Sequence, residues 1–196
     1  MSRPQVSQRT LAAVVLTACV GVGALGCGAT GAAGAAAAKT DTTGAVKTGN
    51  HAQDFTARDM DGNTVRLSDY LGKQAILLNF WSTYCEPCLA EFPHMRRLYA
   101  EKKPKGFIVL AVSMDGPETV ANVKPFAQRN NLNFPVLLDE DSTISALYNP
   151  KKSAPLTILI DRSGNVIQVR EGYNPGDEET LAVEVSKMLD GPAPPK

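Results

Sequence analysis

A seven-residue run, Ala75-Ile76-Leu77-Leu78-Asn79-Phe80-Trp81, leads through Ser82-Thr83-Tyr84 into Cys85-Glu86-Pro87-Cys88. No other feature narrows the possible folds as much. An uncharged run of that length fits a strand buried on both faces at the centre of a sheet. The residues from Cys85 to about Lys102 read as the helix that follows it. The cysteine pair therefore falls at a strand-to-helix junction. There, free backbone N–H groups and the positive end of the helix dipole stabilise a thiolate. Cys85 is expected to be the solvent-facing, attacking sulfur. Cys88, one turn into the helix, is the shielded sulfur that can close a disulfide with it.

Two blander readings of the pair compete. A structural zinc site needs a second pair of ligands, and outside this motif the exported chain offers only His51, His94 and Cys27. A purely structural disulfide is rarely placed at such a junction. Redox chemistry is the better reading, with no metal and no cofactor expected.

The rest of the chain from residue 51 onward alternates short strands and helices. Asp61-Gly62-Asn63 is a turn ahead of a strand at Thr64–Leu67, and Ser68–Gly72 reads as a helical turn. Phe107–Val112 is a second buried strand. A helical stretch lies between Pro117 and Asn131, broken or restarted at Pro125. Val136–Leu138 is a short strand and Ser142–Tyr148 a short helix. Leu156–Ile160 and Val166–Val169 form a hairpin about Arg162-Ser163-Gly164-Asn165. A last helix spans about Glu178–Leu189, with Leu181, Val185, Met188 and Leu189 on one face. This alternation predicts an α/β fold, a mixed sheet flanked by helices, parallel at its centre and antiparallel at one edge.

The first 50 residues have a different character. Arg3 and Arg9 precede an uncharged stretch, Leu11–Gly26, with the pattern of an export signal over residues 1–26. The stretch is short and rich in Gly and Ala for a membrane span. It resembles a bacterial lipoprotein signal, which implies lipidation at Cys27, after Ala24-Leu25-Gly26, with Cys19, after Leu16-Thr17-Ala18, as the alternative. Ordinary cleavage among the alanines is a third option, each of the three exports the protein, and an uncleaved anchor is the blander reading that the short stretch disfavours. Residues 27–50 are almost wholly Gly, Ala and Thr and read as a flexible linker spanning roughly 25–30 Å. Residues 191–196 read as a frayed tail, leaving 51–190 as the folded domain. Twenty basic residues balance twenty acidic ones. Loss of the signal removes two arginines and leaves the remainder mildly acidic, which argues against nucleic acid as a partner.

Asn79-Phe80-Trp81, Cys85-Glu86-Pro87-Cys88 and Glu91-Phe92-Pro93 together resemble the thioredoxin superfamily. More narrowly they resemble the ResA/TlpA-type membrane-tethered thiol–disulfide oxidoreductases, over about residues 51–190. Ala52-Gln53-Asp54-Phe55 and Leu67-Ser68-Asp69 match that family's N-terminal extension, with Gln53 where it usually has Pro. Residues 117–139 match its central helix–strand insertion. The resemblance implies a thioredoxin-like fold and a cis peptide at Pro155, facing the cysteines. It also implies that the Ala154 backbone pairs with an extended client segment. Trp81 and Tyr84 are expected at the client-contacting surface. Glu91, one helical turn past Cys88, is implied to tune the thiols and move protons. Asn79 stands where simpler thioredoxins carry a buried Asp, which makes that second acid more necessary.

Glu86 and Glu91 put negative charge near the sulfurs, and no Lys, Arg or His lies between or beside them. A strong oxidant needs a stabilised thiolate, so a low potential and a reductant role are expected. The resemblance supplies partners: a membrane thiol transporter of the DsbD/CcdA kind as electron donor, and client disulfides such as those of apocytochrome c. A membrane-tethered monomer on the extracytoplasmic side is the expected form, periplasmic if there are two membranes. The alternatives are an extracytoplasmic oxidase, a thiol peroxidase or a copper-binding module. Thr83 lies two residues before Cys85, whereas the peroxidase pattern needs three. Copper-delivery relatives space their cysteines by three and use a loop His that is absent near Pro155.

Overall fold

The computed structural model describes residues 46–191. The segment read as an export signal, Cys19 and Cys27, the stretch read as a linker up to residue 45 and the residues after Gly191 lie outside the described residues.

Seven strands form one sheet in the order β2-β1-β5-β4-β3-β6-β7. They are β1 (Thr56–Asp59), β2 (Thr64–Arg66), β3 (Ala75–Trp81), β4 (Phe107–Ser113), β5 (Val136–Leu138), β6 (Leu156–Ile160) and β7 (Val166–Glu171). The helices are α1 (Glu86–Lys102), α2 (Val123–Arg129), α3 (Thr143–Tyr148) and α4 (Asp177–Asp190). This is a thioredoxin-like fold, with α2 and β5 as the central insertion. Strands β3 and β4 are buried along their whole length and pair in parallel, from Ala75 opposite Phe107 to Trp81 opposite Ser113. Their near-continuous apolar sequence follows from having helices on both faces.

Only β3, β4 and β5 run parallel. The pairs β3·β6, β6·β7, β1·β5 and β1·β2 are all antiparallel. The sheet is therefore antiparallel at both edges, not one. The second edge exists because of β1, a strand with no strong signal in the sequence. Of its four residues only Ala57 is buried.

Helix α1 begins where Cys85 adopts extended backbone and its Sγ accepts a hydrogen bond from the Cys88 N–H at 3.3 Å. Glu86 and Pro87 occupy the first two helical positions, where an acid suits the dipole and proline loses no bond. Cys88, Glu91, Phe92, Met95, Leu98 and Tyr99 recur at three- and four-residue intervals and form its buried face. The helix continues through Pro93 as one element.

Two boundaries differ from those the sequence suggests. A single 3-10 turn, Val120–Asn122, precedes α2, so the helix restarts at Val123 and not at Pro125. Pro125 then lies in the first turn, whose N–H groups have no partner within the helix anyway. The domain also begins before residue 51. Val46 is buried in the core, the Gly49 N–H donates to Val166 O at 2.8 Å, and the Val166 N–H donates to Asn50 O at 2.8 Å. Residues 46–50 thus belong to the fold, where composition placed them in the linker.

Candidate active site

The loop from β3 into α1 carries the cysteines, and it is tied to the end of β4. The Met114 N–H donates to Trp81 O at 2.8 Å. Buried Asp115 accepts from the Thr83 N–H at 2.9 Å, from the Thr83 hydroxyl and, at 2.8 Å, from the Ser113 hydroxyl. A final turn, Cys85 N–H to Ser82 O at 3.1 Å, delivers Cys85 to the helix start. Cys85 and Cys88 are joined in a disulfide, their Cα atoms 5.4 Å apart. Cys85 keeps 7% of its surface exposed and Cys88 none. That asymmetry matches an attacking sulfur and a shielded one.

The Ala154–Pro155 peptide is cis. Leu156 pairs with Phe80, so Pro155 stands level with Trp81 at the end of β3, beside the loop that leads to Cys85. Ala154 is half-buried there and Pro155 buried. The Gly172 N–H donates to Pro155 O at 2.7 Å.

Around the disulfide, Tyr84 is 74% exposed and Leu89 41%. Trp81 does not join them. It is completely buried, edge-on to Phe92 with ring centroids 5.1 Å apart and packed on Phe126. With no exposed surface it cannot touch a client. Its place at the last position of a strand covered on both faces makes it a core residue that supports the loop from beneath.

Glu91 lies under the cysteines and is only 5% exposed. Its Oε1 accepts from the Thr157 hydroxyl at 3.1 Å and its Oε2 from Asn79 Nδ2 at 3.1 Å. Asn79 Nδ2 also donates to Thr157 Oγ1 at 3.1 Å, closing a triangle among α1, β3 and β6. Burial raises the Glu91 carboxyl from 4.5 to about 7, and the Thr157 and Asn79 hydrogen bonds and the Arg170 charge hold it from rising further. A carboxyl that titrates near neutrality, one helical turn from Cys88, can both take and give a proton under ordinary conditions. The buried Asn79 Oδ1 has no hydrogen-bond partner among the described residues.

Thr157 and Asp115 were not singled out by the sequence reading. Thr157 could have been, because strand alternation from Leu156 turns it to the opposite face from its apolar neighbours. Asp115 had no such signal, since its partner Thr83 is 32 residues away. A larger cavity of about 370 Å³, lined by Asp161, Arg162, Ile167, Lys187 and Met188 among others, contains none of these residues.

A disulfide-bonded cysteine pair capping a helix, a cis-proline alongside it and a buried acid beneath, all on this sheet, define a thioredoxin-fold thiol–disulfide oxidoreductase. Residues 48–169 match the AhpC/TSA family. The chain belongs to that family. Among named relatives it is similar to the thiol-disulfide oxidoreductase ResA of Geobacillus kaustophilus, 41% identical over 128 residues, which are 65% of this chain and 71% of that protein. The ResA of Halalkalibacterium halodurans is 36% identical over 144 residues, 74% of this chain and 78% of that one. Among solved structures, a thiol:disulfide interchange protein described as DsbE, from Chlorobium tepidum, superposes with a TM-score of 0.68 at 33% identity. It covers 74% of this chain and 99% of its own. A secreted disulfide oxidoreductase of Mycobacterium tuberculosis, homologous to DsbE, gives a TM-score of 0.58 at 25% identity, covering 68% and 95%.

Proposed function

We propose that this oxidoreductase works outside the cytoplasm as a reductant of client-protein disulfides, tethered to a membrane through a lipidated Cys27, with Cys19 the alternative site. The observation that carries the direction of electron flow is the buried Glu91 carboxyl one turn from Cys88. Once ionised it disfavours a thiolate beside it, which favours the disulfide and lowers the potential. The export pattern ahead of the domain supports the location. Among the described residues no helix is long and apolar enough to cross a membrane.

In the catalytic cycle the Cys85 thiolate attacks a client disulfide, forming a Cys85–client bond as one client sulfur leaves. Glu91 accepts the Cys88 proton. The Cys88 thiolate then attacks Cys85 Sγ and releases the second client sulfur. Two electrons pass to the client, and Cys85–Cys88 ends as the disulfide. A half-turn of the Asn79 amide would present its unpartnered Oδ1 to the protonated Glu91. The Ala154–Pro155 segment pairs with the client backbone, and Tyr84 offers it an exposed ring. A membrane thiol transporter of the DsbD/CcdA kind returns the electrons. Apocytochrome c, whose haem-binding cysteines must be reduced before attachment, is the client class that fits.

The test is the reduction potential of the Cys85/Cys88 couple. The reading expects a value more negative than the glutathione pool, about −220 to −260 mV, and a value near the −120 mV typical of strong oxidants would reverse the assignment. Cys88→Ser should accumulate a mixed disulfide with its client in cells. Absence of any covalent partner, with Cys85 still reactive, would end the exchange mechanism.

A further inference from the structure

Arg170 has no part in the sequence motif, yet the fold brings it to Glu91. It lies on β7 directly opposite Thr157 on β6. Directly paired residues of antiparallel strands share a sheet face, so Arg170 points to the side on which Thr157 holds Glu91. Its guanidinium is fixed from above by α4. Nη1 donates to Asp177 O at 3.1 Å, and Nη2 meets Glu184 Oε2 at 3.3 Å. The Arg170 side chain is 21% exposed and that of Glu184 26%, so the pair is only partly in water. A cavity of about 10 Å³ is lined by Glu91 and Arg170 together. That is room for about one water.

The other groups facing Glu91 leave Arg170 with a distinct role. Cys88 and His94 lie on the same helix. Asn79 on β3 and Thr157 on β6 are neutral. Tyr173 follows β7, and Asp177 and Glu178 open α4. The Tyr173 hydroxyl donates to Glu178 at 2.9 Å, and Glu178 lies 3.9 Å from His94. Arg170 is the one permanent cation among the described residues lining the cavity. The acids of α4 work against an ionised Glu91.

We propose that Arg170 is a positioning residue for Glu91: pinned to α4, its guanidinium faces the carboxylate across the cavity, stabilises the ionised form and so fixes the pH at which Glu91 releases its proton. Glu184 tempers that charge from the other side. The inference rests on the reading of Glu91 as the group that moves protons for the thiols.

The experiment follows the Glu91 side-chain carboxyl by carbon NMR against pH in the oxidised protein, where no thiol titrates. Arg170→Met is expected to move the midpoint upward from about 7 by roughly half a unit to one unit, less than the loss of an unopposed neighbouring cation because Glu184 already offsets part of the charge. Arg170→Lys restores most of the shift. Glu184→Gln, which leaves the guanidinium uncompensated, moves the midpoint the opposite way. Loss of the Glu184 anion lowers the midpoint by its own charge, so the role of Arg170 is read from Arg170→Met and its rescue by Lys. The proposal is overturned if Arg170→Met leaves the midpoint within about 0.2 unit of the parent, or if Glu184→Gln shifts it upward. Should Arg170→Met not fold, Arg170→Gln, which also removes the cation, replaces it with the same expected direction and the same overturning result. The underlying reading is tested separately, by the pH profile of Cys85 alkylation in reduced protein. If Glu91→Gln leaves that profile unchanged, Glu91 is not the proton carrier, whatever Arg170 does to its titration. If Glu91→Gln changes it, adding Arg170→Met should change it no further.

Discussion

Replacing Glu91 by Gln should make the oxidised protein more stable above neutral pH, and the size of that gain follows from the site. Glu91 is 5% exposed, and burial raises its carboxyl from 4.5 to about 7. Below pH 4.5 the group is protonated in folded and unfolded chains alike, and its contribution is complete. Between 4.5 and about 7 the folded protein keeps a proton that the unfolded chain has released, so stability falls as pH rises. Above about 7 the folded state holds a desolvated carboxylate, and the loss levels off. At about 1.4 kcal/mol per unit, the full excursion is about 3 kcal/mol. Gln mimics the protonated acid in shape and carries no charge at any pH.

Urea unfolding of both proteins with the disulfide intact, at intervals from pH 4.5 to 8.5, measures this difference directly. The two should have similar stability near pH 4.5. The variant should be ahead by about 3 kcal/mol at pH 8.5, with half of the change complete by about pH 6. A constant gap between the curves, or a gap that widens towards acid, would refute the claim that burial governs Glu91.

Three further outcomes are expected. Thr157→Val removes the hydroxyl that donates to Glu91 Oε1 and should push its titration higher. It should cost about 1–2 kcal/mol at pH 8 and less at pH 5, read from the same unfolding curves. Asp115→Asn loses the charged acceptor that gathers Thr83 and Ser113, and should cost about 1–3 kcal/mol while raising the alkylation rate of Cys88 through a loosened loop; unchanged protection of Cys88 would mean that Asp115 does not hold the loop. Cys27→Ser should release the protein from membranes into the soluble extracytoplasmic fraction, whereas Cys19→Ser should not. The reverse result in fractionation would move the anchor to Cys19.

How far the sequence determines this site can be traced residue by residue. The β3 run, the helix after it and the cysteines between them are local, so their signals lie within a few residues and could be read directly. The buried position of Glu91 was legible only as a helical spacing from Cys88. What raises its carboxyl to about 7 is burial beneath the assembled fold, and what limits the rise is a pair of hydrogen bonds spanning 12 residues to Asn79 and 66 to Thr157. Trp81 shows the opposite failure. Its place in the motif suggested a client contact, but the strand that presents it is covered on both faces, and burial took precedence over proximity to the cysteines. The start of the domain was misplaced for a similar reason. Lys47-Thr48-Gly49-Asn50 has linker composition, yet Gly49 and Asn50 find backbone partners at Val166, nearly the length of the domain away. Composition measures what a segment can bury with its own side chains. It does not register bonds offered by a distant strand.

The pH-dependent instability and the proposed chemistry have one cause. A Glu on the exposed side of α1 would titrate near its ordinary value, stay ionised at neutral pH and cost the fold nothing. It would then be too weak a base to hold the Cys88 proton. Burial lifts the carboxyl to the range where taking and releasing a proton are both accessible, and the same desolvation makes the ionised form destabilising. The two cannot be separated by moving charge elsewhere on the surface, because screening there weakens the interaction. They can be balanced from within, and the site does this with neutral donors on β3 and β6 and a single cation on β7. Each donor that stabilises the carboxylate recovers stability at high pH and lowers its basicity by the same free energy. The cluster around Glu91 is therefore set between two losses: with fewer donors the fold weakens above neutrality, and with more the acid no longer carries protons for the thiols.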